Sequence, residues 1–327
     1  MKSYLLYGQV LAAPEDFGSF LIPTDASPTL RYRVLRANPL DESSPGELLH
    51  QSKRLIAAHG GLPASRIWRA GRTLTIHLPA YGVYTLSPRV ISCYPFPHAT
   101  PVEQRLCFYS TIIATWLEWM GIPALHASAV VMEGRAVGFL ANSHGGKSTL
   151  AAQLIRAGCR FLTDDILAVE RRGEAVVGHF GYPWARMWPE TAEQVGLVPD
   201  ELVRVHPQVE KRMAPVGGDG FGEVCQDSTP LGVLYIPERR DPVEWGERVE
   251  ITPVPPNQAV IELLRYSYSA HVLRAIGREG EHFDQLTRIA QRVPVRRLIY
   301  PDGFEYLPRV QEALMQDNLS SSDRSLL

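Results

Sequence analysis

The chain has 327 residues, 45% of them hydrophobic and 21% charged, with a formal net charge of −2. That length exceeds what one hydrophobic core usually fills, so two domains are expected. The near-neutral balance excludes a global field that would draw the protein onto nucleic acid or an anionic membrane, so an anionic ligand must be held by a local site. The four cysteines, Cys93, Cys107, Cys159 and Cys225, form no Cys-x-x-Cys pair and no zinc-spaced cluster, and read as packed, reduced thiols. Gln9, Glu15 and Asp16 arrive too early for a signal-peptide core. No run of about 18 apolar residues is present to span a bilayer. A soluble, cytoplasmic protein is expected, with no nucleic-acid or membrane partner and with homo-oligomerisation left open.

Residues 1–99 are rich in turn formers, and "TLTIHL" (73–78) and "YGVYTL" (81–86) alternate as strands do, which predicts a smaller, mostly β N-terminal domain. At 100–121 the period changes to that of a connecting helix. Thr100 can cap it, Pro101 suits its first position, and Gly121 can end it. Leu106, Tyr109, Ile113, Trp116 and Met120 fall on one face.

Residues 122–310 read as an α/β (α+β) domain. Two strands flank the turn at Glu133, Gly134 and Arg135, then come the loop "ANSHGGKS" (141–148), a helix ended by Gly158, and the strand "RFLT" (160–163) leading to Asp164 and Asp165. That strand is expected beside the one feeding the loop. Further on, "PLGVLYIPERR" reads as a strand, with "PERRD" (237–241) a polar turn after it. "QAVIELLRYSYSAHVLRAIG" and "EHFDQLTRIAQRV" read as helices, "RVPVRR" (292–297) as a helix end and strand start, and "RRLIY" as the last strand. The polar tail 311–327 is expected to fray.

The loop holds the sharpest chemistry. A phosphate loop points successive backbone N–H groups at oxygen atoms from a strand-to-helix turn, and the helix N-terminus adds partial positive charge. Its side-chain needs are few: Gly146 for close approach, Lys147 for the β and γ phosphates, and Ser148 for magnesium. Ala141 replaces the usual first glycine, which a negative φ would tolerate. His144 is the sharper departure if its φ is positive. Asp164 and Asp165 would sit near the terminal phosphates, one carboxylate serving Mg²⁺ and the other accepting the proton of an attacking hydroxyl. An Asp-Asp surface turn is the plainer alternative, as a satisfied core histidine is for His126.

The stretch "LHASAVVMEGRAVGFLANSHGGKSTLAAQLIRAGCRFLTDDILAVE" resembles the catalytic core of the HPr kinase/phosphorylase family and its HPr-kinase-related branch. Members carry a His before a β-hairpin, a loop of form G-x-S-G-x-G-K-S, a helix, and an Asp-Asp pair. Ser143, Gly146, Lys147 and Ser148 match that loop, whereas Ala141 and His144 replace glycines and Thr149 stands where the HPr enzymes commonly have Glu. His126, Asp164 and Asp165 match the remaining positions. "GYPWARMWPE", "EKRMAP" and "PLGVLYIPERR" resemble the related branch.

The resemblance implies a phosphoenolpyruvate-carboxykinase-like P-loop kinase core in a mixed sheet, with ATP and Mg²⁺ as cofactors and transfer to a serine hydroxyl of a peptide or small protein. Residues 143–149, including Gly145, would hold the nucleotide. Lys147 and His126 would join Asp164 and Asp165 in catalysis, with Asp164 taking the proton and Ser148 and Asp165 at the metal, an assignment that can be swapped. Within the branch, similarity in size and in the divergent N-terminal domain points to the kinases that phosphorylate the C-terminal serine of a lasso precursor peptide. An HPr-like protein or a small-molecule hydroxyl as acceptor is the alternative, as is a non-catalytic nucleotide sensor or scaffold. Arg186, Lys211 and Arg212 are candidates to contact phosphate or acceptor, since guanidinium and ammonium groups neutralise a transferring phosphoryl group; a structural ion pair or surface charge is their other reading. Trp184 and Trp188 read as packing residues.

Overall fold

The computed structural model describes residues 1–42, 45–206, 209–268 and 270–322 and is a mixed α/β fold. The chain divides into two units, residues 1–122 with 270–282, and residues 123–268 with 283–322.

In the first unit a nine-stranded sheet runs Ile22–Pro23, Lys2–Leu6, Gln9–Ala13, Leu30–Val34, Val90–Pro95, Gly82–Leu86, Thr73–Leu78, Arg66–Ala70, Glu47–Gln51. Two of the strands, Thr73–Leu78 and Gly82–Leu86, are the ones that alternation predicts. The helical segment after Thr100 belongs to this unit. Thr100 and Glu103 form the reciprocal cap that satisfies two orphan N–H groups of the first turn. The segment is Pro101–Cys107, a π turn Phe108–Ile112, and Ile113–Trp119. Leu106, Tyr109, Ile113 and Trp116 are buried as expected, but Met120 lies past the last helical residue and is 38% exposed.

The second unit is built on a mixed sheet in the order Ala124–Leu125, Leu167–Arg172, Ala175–Gly178, Thr229–Arg240, Arg135–Leu140, Ala127–Met132, Arg160–Thr163. The hairpin turn is made by Glu133 and Gly134, at φ +49° and +75°, the left-handed pair that matches strand twist. Strand Arg160–Thr163 pairs antiparallel with Ala127–Met132, so the acid pair leaves the sheet one strand away from the loop strand, not beside it. The strand read from "PLGVLYI" continues through "PERR" to Arg240, because its far half pairs in parallel with Val295–Pro301. What reads as a polar turn is therefore ladder, and a strand that long carries arginines out past the loop.

Two further expectations meet a different structure. The segment read as one helix from Gln258 is two, Pro256–Arg265 and Ala270–Ala275. The tail expected to fray is helical from Leu307 to Ser322, with Leu307, Val310 and Leu314 buried, while 323–327 lie outside the described residues. No helix among the described residues is long and apolar enough to cross a membrane.

Candidate functional site

Strand Arg135–Leu140 ends at Ala141, and residues 141–146 lead into the helix Lys147–Arg156. Ala141 is not among the residues with positive φ, so its methyl group brings no backbone strain. It does constrain Gly145, where a Cβ would stand 2.4 Å from that of Ala141. Gly146 caps the helix at φ +84°, with the Tyr300 hydroxyl 2.8 Å from where a Cβ would be. His144 has φ +67°, a left-handed conformation costing about 1–2 kcal/mol for a residue with a side chain. Its ring stacks on Trp188 at 4.5 Å with 26° between planes, and its carbonyl accepts a hydrogen bond from Arg239; both contacts offset the strain.

Behind the loop lies a cluster of buried charge. Lys147 is 6% exposed, with its ammonium donating to His126 Nε2 at 3.2 Å. His126 Nδ1 lies 3.0 Å from the Asp165 carbonyl, which can only accept, so Nδ1 carries the proton and Nε2 is free to accept from Lys147. Burial lowers the pKa of His126, which keeps the ring neutral, and burial likewise lowers that of Lys147.

The two aspartates have different neighbours. Asp164 is buried and fully engaged: it accepts from the Ser128 hydroxyl, from Ser148 Oγ at 3.0 Å and from the Arg186 backbone N–H at 2.6 Å. Asp165, at φ +78°, accepts from the Arg186 guanidinium at 2.8 Å and from the Tyr268 hydroxyl at 3.2 Å. Burial alone would raise the Asp165 pKa, but the charge of Arg186 above all, with those of Lys147 and Lys211, outweighs it and holds the carboxyl below its ordinary range. Arg186 is also held by Tyr182, whose hydroxyl accepts from Nε and Nη2 and is pushed up to about 12 by burial.

In front of the loop opens a cleft of about 430 Å³, walled by Asn142, residues 144–149, Trp188, Glu190, Lys211, Arg239 and Phe304. His144, Gly145, Gly146, Lys147, Ser148, Thr149 and Lys211 thus share one wall system, while Ser143 is exposed outside it. Asp164, Asp165 and His126 do not line this cleft; Asp164 contacts Ser148 and His126 contacts Lys147, both of which do, while Asp165 is bonded to Arg186 and Tyr268. The sequence reading pairs Ser148 with Asp165; the geometry pairs it with Asp164. Arg186 is committed to Asp165 rather than presented to the cleft. Arg212 is turned away, its Nε donating to the Pro199 carbonyl at 3.0 Å and its head against Glu210.

The sequence reading does not single out Ser128, Tyr182, Tyr268, Arg239 or Phe304; Trp188, read as a packing residue, packs on His144 and also lines the cleft. Ser128 sits in the hairpin strand next to His126, where a hydroxyl inside an apolar run was a usable signal; Phe304 carried none.

No protein-family model matches the chain, and no curated protein matches it. Among solved structures the chain is similar to the HPr(Ser) kinase/phosphatase from Coxiella burnetii, with 10% identity and a TM-score of 0.30, over 61% of this chain and 98% of that one.

Proposed function

We propose that this protein is a phosphotransferase that moves the γ-phosphoryl group of ATP to a serine hydroxyl. The observation that carries the reading is the union of Lys147 and Ser148, at the start of one helix, with an Asp-Asp pair delivered by a separate strand end, Ser148 Oγ lying 3.0 Å from Asp164. Buried charges that cost desolvation energy cluster where chemistry needs them.

The residues present fit the two groups the reading requires. Left-handed His144 and Gly146 turn the loop in the manner of an anion-binding nest, and Lys147 adds a point charge for phosphate oxygens. The Ser148 hydroxyl and the Asp164 carboxylate are hard oxygen donors suited to Mg²⁺, which is commonly held by one or two carboxylates together with substrate phosphates. This supports giving Asp164 the metal side, the reverse of the first assignment from sequence. When bound, Mg²⁺ neutralises charge developing on the transferring group.

The chain's own residues do the rest. Ser128 and the Arg186 N–H donate to Asp164 and hold its carboxyl group in place beside Ser148. Neutral His126 and the Asn142 carbonyl of the loop both accept from Lys147, which fixes the position of the ammonium. With Asp164 on the metal side, Asp165, only partly buried, is left as the carboxylate to take the proton of an acceptor hydroxyl that comes up beside the Tyr268 hydroxyl. Its depressed pKa makes it a weak base, which suffices where the transition state is loose and positioning dominates.

The acceptor follows from the sequence resemblance: a peptide serine, first of all the C-terminal serine of a lasso precursor peptide. Mass spectrometry of candidate acceptors after incubation with ATP and Mg²⁺ tests this. A phosphate gained on the terminal serine is the expected result. A phosphate on an HPr-like protein or a small hydroxyl compound instead would retain the phosphotransferase and remove the peptide acceptor.

A further inference from the structure

Beyond the phosphate loop the cleft changes character. A second cavity of about 80 Å³ opens beside it, and the two share Gly146, Thr149, Arg239 and Phe304. The large cleft is lined by the loop with Lys147, Ser148, Lys211 and Trp188; the small cavity adds Tyr300 and Leu307 to Phe304, beside the Arg239–Asp302 ion pair. Burial raises the pKa of the Tyr300 hydroxyl, so that side chain stays neutral. Arg239 stands at the junction, tied to Asp302 at 2.9 Å and to the His144 carbonyl. One end thus suits a polyanion and the other a flat apolar ring, which is the polarity of a nucleoside triphosphate.

We infer that the base of the nucleotide lies against Phe304 over the small cavity, so that the triphosphate runs from Lys147 past Thr149 toward Tyr300 and Leu307. The inference rests on the nucleotide reading above. Thr149 is held in place between the two ends by its 2.9 Å hydrogen bond with Thr191. The cavity is too small to enclose a purine, so it receives an edge of the ring while half-buried Phe304 supplies a face. The other aromatic in the cleft, Trp188, is already stacked on His144 at 4.5 Å and has the Lys211 ammonium 5.6 Å from its ring centre. A base there would have to displace a ring, so that end is left to the acceptor.

Calorimetric titration with ATP and with inorganic tripolyphosphate, both with Mg²⁺, separates base from phosphate recognition. Phe304→Ala is expected to weaken ATP about tenfold, in line with the loss of one base–aromatic stack, and to leave tripolyphosphate affinity unchanged. Phe304→Leu, which keeps apolar volume, should fall between. In Trp188→Ala the ratio of the two affinities should stay at its wild-type value. Equal loss of both ligands in Phe304→Ala, or a shift in the ratio caused by Trp188→Ala and not by Phe304→Ala, would overturn the inference. Wild-type protein that binds neither ligand would overturn the nucleotide reading itself.

Discussion

In the first unit Tyr32, Tyr84, Cys93 and Cys107 are buried together, and burial pushes Cys93 up to about 11 and Cys107 up to about 12, so the cluster is polar and uncharged. In the second unit Lys147, Asp164, Asp165 and Arg186 lie close to one another, mostly removed from water, and Arg186 and Asp165 persist as ions because each supplies the other's counter-charge. The first cluster is what packing produces, since a protonated thiol behaves as a small hydrophobe. The second costs desolvation that apolar residues would avoid, a cost the proposed function would account for.

Breaking the charged cluster should have the larger consequences. Under the proposed function, in which the ammonium acts on the transferring group, Lys147→Ala is expected to cut phosphoryl transfer by about 10³-fold while circular dichroism stays native. Unchanged turnover would remove Lys147 from the chemistry. Arg186→Met leaves Asp165 without its main counter-charge and should cost about 3–5 kcal/mol in denaturant unfolding. Adding Asp165→Asn to that variant should restore a good part of the stability; a double variant no more stable than the single would show that Arg186 acts by packing.

The neutral cluster should respond less. Cys107→Ala is expected to cost about 1 kcal/mol at neutral pH. Because the folded thiol pKa is raised above its ordinary 9.0, the stability it brings is complete below that pH and is lost as pH rises toward about 12. Melting temperatures followed upward from pH 8 should therefore fall less steeply in Cys107→Ala than in the wild type, and parallel curves would contradict a buried, protonated thiol.

The contrast between local and non-local signals also explains what the sequence revealed. Gly146, Lys147 and Ser148 are contiguous and the Asp pair follows within one helix and one strand, so the centre of the site could be read directly. Strand Thr73–Leu78 was equally plain, since its alternation is local. Arg239 was misread because "PERRD" is polar, and only pairing with Val295–Pro301 keeps it in a strand. Phe304 reaches the loop across more than 150 residues of chain, a contact that no local period encodes. The tail helix was the avoidable miss: Leu307, Val310 and Leu314 recur at helical spacing, and the polar composition of "QDNLSSS" obscured it.

The assignment of metal and base to the two aspartates was likewise beyond the sequence, since adjacent identical residues differ only in their neighbours. Asp164 faces Ser128 and Ser148, whereas Asp165, left-handed, turns toward Arg186 and Tyr268. Only the fold distinguishes them.

The most direct test of the account follows labelled phosphate. Protein incubated with Mg²⁺, a serine-bearing peptide and ATP labelled at the γ position should place the label on the peptide serine, and ATP labelled at the α position should not. ATP bound in the cleft but recovered intact, with every serine acceptor unlabelled, would contradict phosphoryl transfer and leave the charged cluster as a nucleotide-binding device.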